Sequence, residues 1–211
     1  MIVKPRRADG RPHGRKAEQS EQTRRLLLDA ARALFAERGY AGTATEEIVQ
    51  RAGVTRGALY HQFRDKEDLF RAVYEEVERE LTANMVSGLR SRLSRDSDAW
   101  QRLLAGNEAF LDACLDPAFQ RIALIEAPSV LGWNVRSHVA RHGLDMIRLV
   151  LEMGIEQGVI EPQPLEPIAH LVRAVLNEAA VLLARSADPA ADRAEIGAGV
   201  DRLISGLRRQ G

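Results

Sequence analysis

Apolar residues recur at helical spacing along almost the whole chain, and no segment alternates as a strand does. From Ser20 onward Leu27, Ala30, Ala31, Leu34 and Phe35 form one stripe, which Gly39 stops. A second long stripe starts near Asp65 and runs to about Gly88 through Leu69, Phe70, Val73, Val77 and Leu81. The polar segment 89–97 reads as a hinge. Beyond it come Trp100, Leu103, Leu104, Phe110 and Leu111, and then, from about residue 117, Phe119, Ile122, Ala123 and Ile125. Pro128 and Gly132 break or kink that helix at its far end. A further helix is expected from about Trp133 to Gln157, closed by Gly158, and Pro162, Pro164 and Pro167 form a stiff corner. The last two helices fall at about 167–185 and 190–208. The pattern predicts an all-α protein of about nine helices.

Residues 43 to 66, TATEEIVQRAGVTRGALYHQFRDK, hold two short helices around a tight glycine turn. Thr43 is expected to cap the first, with Glu46 reaching back in a T-x-x-E capping box. Glu46 and Glu47 lie in its first turn, where the helix dipole favours carboxylates. Gly53 supplies its left-handed end. Thr55 caps the second helix, and Val54 and Leu59 have the spacing of a hydrophobic staple. Ala58, Leu59 and Phe63 turn to the core, while Thr55, Arg56, Gly57, Tyr60, His61 and Gln62 share the other side. This is the layout of a helix-turn-helix, whose second helix enters the DNA major groove. A guanidinium such as Arg56 can pair bidentately with guanine, and Gly57 permits close approach to DNA. Tyr60 can donate to a phosphate, and Lys66 adds a positive charge just beyond.

With those residues in place the chain resembles the tetracycline-repressor (TetR) family of transcriptional regulators. Ala52, Gly53, Val54, Thr55, Gly57, Leu59, Tyr60, Phe63 and Lys66 match the pattern A-G-V-[ST]-x-G-x-L-Y-x-x-F-x-x-K. The segment 24–40, RRLLLDAARALFAERGY, is similar to the family's first helix, and the likeness covers about a third of the chain. The resemblance implies phosphate contacts from Thr45, Thr55, Tyr60, Gln62 and Lys66, and base approach by Arg56, Gly57 and His61. It also implies a homodimer formed through the last two helices and a small-molecule effector. Gln62 stands where the family usually has His, and His61 where it often has an aromatic, which leaves the half-site sequence open.

Charge agrees once it is divided. The whole chain is neutral, yet residues 1–70 hold 14 Lys+Arg against 10 Asp+Glu, and residues 71–211 hold 16 against 20. A basic end on DNA and an acidic end away from it fit that split. Residues 1–19 read as a disordered arm with Lys4, Arg6, Arg7, Arg11, Arg15 and Lys16, suited to the minor groove or equally to an inert tail. The expected division is this arm, a DNA-binding unit over 20–66, and a ligand-binding and dimerisation unit over 67–211. There is no apolar run of 18 residues and no signal-like h-region, so neither a membrane span nor export is expected. A single cysteine, Cys114, suits a reducing, cytoplasmic setting and reads as a small buried hydrophobe or as a redox sensor.

Helix 8 carries Ile168, Leu171, Val172, Val175, Leu176, Ala179, Leu182 and Leu183. Helix 9 carries Ile196, Val200, Leu203, Ile204 and Leu207 with Gly197, Gly199 and Gly206. These stripes are wide enough to face both the protomer core and a second copy, in a four-helix bundle. A dimer presents two recognition helices, so a palindromic double-stranded operator is expected. Expected pocket residues are Trp100, Asn107, Phe110, Phe119, Ile122, Glu126, Trp133 and Asn177. Glu126 is either a ligand carboxylate or the partner of an arginine. His138 and His142 have metal-pair spacing but no third ligand, so no metal and no cofactor is expected. No nucleophile elbow, P-loop, dinucleotide fingerprint or HExxH motif supports an enzyme. An architectural DNA binder without a small ligand is the other alternative.

Overall fold

The structure, a computed structural model, describes residues 12–132 and 137–209, with side chains over 16–132 and 143–209. Helix α1, Pro12–Arg38, lays one face on α2, Thr45–Ala52, on α3, Arg56–Gln62, and on the first half of α4, Lys66–Arg92. Leu27, Ala31, Phe35, Ile48, Leu59, Phe63 and Phe70 are buried between them. An aromatic trio anchors this core: Phe35 and Tyr40 each meet the Phe70 ring edge-on, at centroid distances of 5.1 and 5.2 Å. Such pairs add about 0.5–1.5 kcal/mol beyond the area they bury.

Several features of the helices differ from the sequence reading. Helix α1 begins at Pro12, so residues 12–19 are helical and do not belong to an irregular arm. Pro suits a first helical turn, and Lys16, Ala17, Glu18 and Gln19 are good helix formers without an apolar stripe to reveal them. Residues 1–11 of the expected arm lie outside the described residues. Helix α4 continues past Gly88 to Arg92. Gly88 is no stop: a Cβ there would stand 3.3 Å from that of Ala109, so the glycine lets α5 cross closely.

Helix α5, Ala99–Ala113, opens on a capping box in which the Gln101 N–H donates to Asp98 Oδ1 (2.7 Å) and the Asp98 N–H to Gln101 Oε1 (3.0 Å). Helix α6 is the third departure. Its first part, Phe119–Glu126, is π-helical and runs into the α-turn Ala127–Val130; the Ala127 N–H donates to the Ile122 carbonyl, five residues back. Cys114, between α5 and α6, is fully buried, and that burial pushes its thiol far above the usual range. It packs as a small hydrophobe.

Helix α7, Ser137–Glu156, α8, Leu165–Arg185, and α9, Pro189–Ile204, complete the bundle. A 3-10 turn, Ser205–Leu207, leads the chain back to the loop at 159–161, where the Arg209 N–H donates to the Val159 carbonyl (3.0 Å) and Ile160 bridges Arg208. Among the described residues this bridge is the only β pairing. By length and composition α8 is apolar enough to cross a membrane. That apolarity has a use in the fold, because α8 packs against α6, α7 and α9. Val172, Leu176, Ala179, Ala180 and Leu183 face inward, while Leu171 and Leu182 remain 60% and 50% exposed.

Candidate nucleic-acid interface

The turn between α2 and α3 is the three residues Gly53, Val54 and Thr55. Gly53 ends α2 at φ 65°, and the Val54 N–H closes back on the Val49 carbonyl at 3.2 Å. Thr55 caps α3 by accepting from the Ala58 N–H at 3.2 Å. The start of α2 corrects the sequence reading. Ala44 occupies the cap position, and Glu47, not Glu46, reaches back to accept the Ala44 N–H at 3.0 Å. Thr43 is buried instead, its hydroxyl facing the carbonyls of Gly39 (2.9 Å) and Leu34 (3.2 Å). It satisfies the end of α1 and so fixes where α2 begins.

Helix α3 is divided broadly as its sequence suggests, although Ala58 and Gln62 are half-buried. Leu59 and the following Phe63 are buried, while Thr55, Arg56, Gly57, Tyr60 and His61 are exposed together. The Arg56 guanidinium lies 5.5 Å from the centroid of the Tyr60 ring, and its Nη1 is 3.2 Å from Glu46 Oε1. The Thr45 hydroxyl donates to the other oxygen of that carboxylate at 3.1 Å. A backbone hydrogen bond in the first turn, the Thr45 hydroxyl and the Arg56 charge together hold Glu46 below the usual carboxylate range. Glu46 on this face was missed by the sequence reading. It depends on how α2 crosses α3, which no local spacing encodes.

Besides Thr45, two further expected phosphate ligands are engaged within the chain. The half-buried Gln62 amide donates to Ser20 Oγ (2.7 Å) and to the Ser20 carbonyl (3.2 Å), tying the end of α3 to α1. Lys66 donates to the Tyr40 carbonyl at 2.5 Å and stands 4.2 Å from the Tyr40 ring centroid. Burial lowers its pKa. Lys66 is therefore a strut between α1 and α4 rather than an isolated surface charge.

Apart from Trp133, the expected pocket residues lie on α5, α6 and α8, with α8 packed against both of the other helices. Trp100 is buried at the start of α5, with the Arg208 guanidinium 5.7 Å from its ring centroid. Asn107, Phe119 and Ile122 are buried, and Phe110 and Asn177 are half-buried. Glu126 pairs with Arg121 at 3.1 Å. Trp133, and the side chains of His138 and His142, lie outside the described residues.

The Arg121–Glu126 pair sits over Gly39, at the end of α1. The π-helical hydrogen-bond spacing of five residues brings 121 and 126 together on one side of α6. Gly39 has φ 74°, and a Cβ there would stand 2.3 Å from Glu126 Oε1 and 2.7 Å from Arg121 Nη2. Gly39→Ala is expected to cost about 1–2 kcal/mol from left-handed strain and displacement of the pair. Urea unfolding reads the loss, and an unchanged midpoint would contradict this contact.

An all-α chain that offers one polar helix face beside a tight turn, backed by a larger helical bundle, is a helix-turn-helix protein with a C-terminal helical domain. Comparison with known proteins gives its family. Residues 27–73 match the model of bacterial regulatory proteins of the tetR family, and residues 100–207 match the tetracyclin repressor-like C-terminal domain. The chain belongs to the TetR family. It is 31% identical over 117 residues to the transposon Tn10 TetC protein of Escherichia coli, covering 56% of this chain and 57% of that one. With the HTH-type transcriptional activator FasR of Mycolicibacterium smegmatis it shares 39% identity over 107 residues, 51% of this chain and 47% of FasR. The match thus spans about half the length of these two relatives. A TetR-family transcriptional regulator from Pectobacterium atrosepticum superposes with a TM-score of 0.74 at 34% identity, over 92% of this chain and 97% of that one.

Proposed function

We propose that this chain is a homodimeric, sequence-specific DNA-binding regulator of transcription that acts as a repressor released from a palindromic operator by a small-molecule effector. The observation that carries the reading is the α3 face: Thr55, Arg56, Gly57, Tyr60 and His61 are exposed together, over a core of Leu59 and Phe63. In this reading Arg56, Gly57 and His61 approach bases, and Thr45, Thr55, Tyr60 and Lys66 lie along phosphates, while Gln62, whose amide donors go to Ser20, holds α3 against α1. An ammonium has three donors and Tyr40 takes one from Lys66, which leaves donors for a phosphate. Residues 20–66 would do the reading, and residues 67–211 the pairing and the sensing.

Dimerisation is supported by the outer faces of α8 and α9. Leu171 and Leu182 on α8 are exposed, Leu203 on α9 is 71% exposed, and the exposed Gly199 and Gly206 near Leu203 permit close backbone approach. Leu203→Glu is expected to leave the protomer folded and to turn dimers into monomers in sedimentation at micromolar concentration. A variant that sediments as a dimer would remove this face from the interface.

The support for an effector is Asn107. It is 1% exposed, and its Nδ2 has no partner among the described residues. A buried unpaired donor costs about 1–3 kcal/mol, a cost that a ligand acceptor would offset. Release from DNA needs an effector that binds the DNA-incompetent dimer better than the competent one. A tenfold change in operator affinity takes only about 1.4 kcal/mol of such coupling. The Arg121–Glu126 contact on Gly39 is a physical link through which α6 would report to the DNA-binding end. In-vitro selection of random duplex DNA by the purified chain tests the whole reading. Enrichment of a palindrome supports it; weak, salt-sensitive binding to every duplex would instead indicate an architectural protein.

A further inference from the structure

We propose that Glu46 is a specificity-determining residue of the DNA-reading face, acting on DNA through Arg56; this rests on the DNA-binding function proposed above. The Glu46 carboxylate is held at both ends by groups of the same face. Both oxygens are used, Oε1 by Arg56 Nη1 at 3.2 Å and Oε2 by the Thr45 hydroxyl at 3.1 Å, so the group is held from two sides on the rim of α3. The two side chains nonetheless remain 62% and 66% exposed. Nothing in the core depends on them. Exposed ion pairs contribute little to stability, so this one is poorly explained as a device for folding.

Its chemistry on DNA is specific. Sequence-independent binding comes from cations that neutralise phosphates. While Glu46 holds Arg56, the pair is neutral, and the face loses one cation that any duplex would otherwise attract. A guanidinium offers five donors in a fixed fork. With one edge on Glu46, the other edge can meet the two acceptors of a guanine, so the correct base satisfies Arg56 without breaking the pair. A wrong base leaves it committed to Glu46 and contributes nothing. The carboxylate thus weakens binding to unrelated DNA more than binding to the operator. The Tyr60 ring, 5.5 Å from the guanidinium, is a second neighbour of Arg56 on this face.

The test compares the full-length wild-type chain with Glu46→Gln on two duplexes of equal length, the selected palindrome and its scrambled version, across a salt series. The variant is expected to bind the scrambled duplex about 5–10-fold tighter, with a salt slope steeper by about one unit per protomer. Affinity for the palindrome should change less than about threefold, so discrimination falls. In an Arg56→Ala background the same substitution should leave discrimination unchanged. Equal tightening on both duplexes, no tightening, or a specificity change that persists without Arg56 would each overturn the proposal. A wild-type chain that prefers no duplex would instead remove the DNA-reading function, before any variant is compared.

Discussion

Phe35→Ala is expected to cost the folded chain about 3–5 kcal/mol, the usual range for truncating a buried aromatic. Phe35 is fully buried, stacks on Tyr40 at 5.9 Å and meets Phe70 edge-on at 5.1 Å. Removing it opens a cavity where α1 and α4 join, the same junction that Lys66 ties to the Tyr40 carbonyl. Proteins of this size are stable by only about 5–15 kcal/mol, so the loss takes a large share of the total. Urea unfolding should show a much lower midpoint, and helicity near α1 to α3 should be lost first. A cost under about 1 kcal/mol would mean that the aromatic trio is not packed as described.

Arg56→Ala is expected to leave stability intact and to remove discrimination at one position in each half-site. The side chain is 66% exposed, and its partners Glu46 and Tyr60 are themselves exposed, so the fold does not rest on it. A lost bidentate guanine contact costs about 1–3 kcal/mol, or roughly five- to 150-fold in affinity for the preferred base. Binding to the other bases at that position should change far less. Competition titrations with the four base variants of each half-site position measure this. Uniform weakening over all four would make Arg56 a phosphate ligand instead. Lys66→Ala is a poor control, because it also breaks the strut to Tyr40 and would loosen α1 against α4.

Much of this was legible in the sequence, because the DNA-binding unit is assembled from short-range chemistry. The αL glycine at 53, the Thr55 cap and the apolar pair Leu59 and Phe63 all act within one or two turns, and each holds in the structure. The cap of α2 was misread by one residue. Thr43 satisfies any capping rule locally, but its hydroxyl is drawn to the carbonyls of Leu34 and Gly39 in the preceding helix. The same limit hid the partners of Gln62, Lys66 and Glu46. A half-buried amide bonding to a serine 42 residues earlier leaves no periodic trace. Helix α6 is a further case: its stripe predicts a helix, but the π-helical pitch that joins Arg121 to Glu126 is not a pattern of apolar residues. The pocket was least legible. Its expected walls follow residue type alone, whereas tertiary packing sets Trp100 beneath Arg208 and Glu126 against Gly39.

Methylation interference on the selected duplex tests most directly whether α3 reads the major groove as part of a dimer. Guanine N7 lies in that groove, at the edge a bidentate arginine would use. Binding should be blocked by methylation at symmetry-related guanines about one helical turn apart, and Arg56→Ala should lose that sensitivity. Interference confined to adenine N3 in the minor groove, or absent at every guanine, would contradict a dimeric reader that docks through α3.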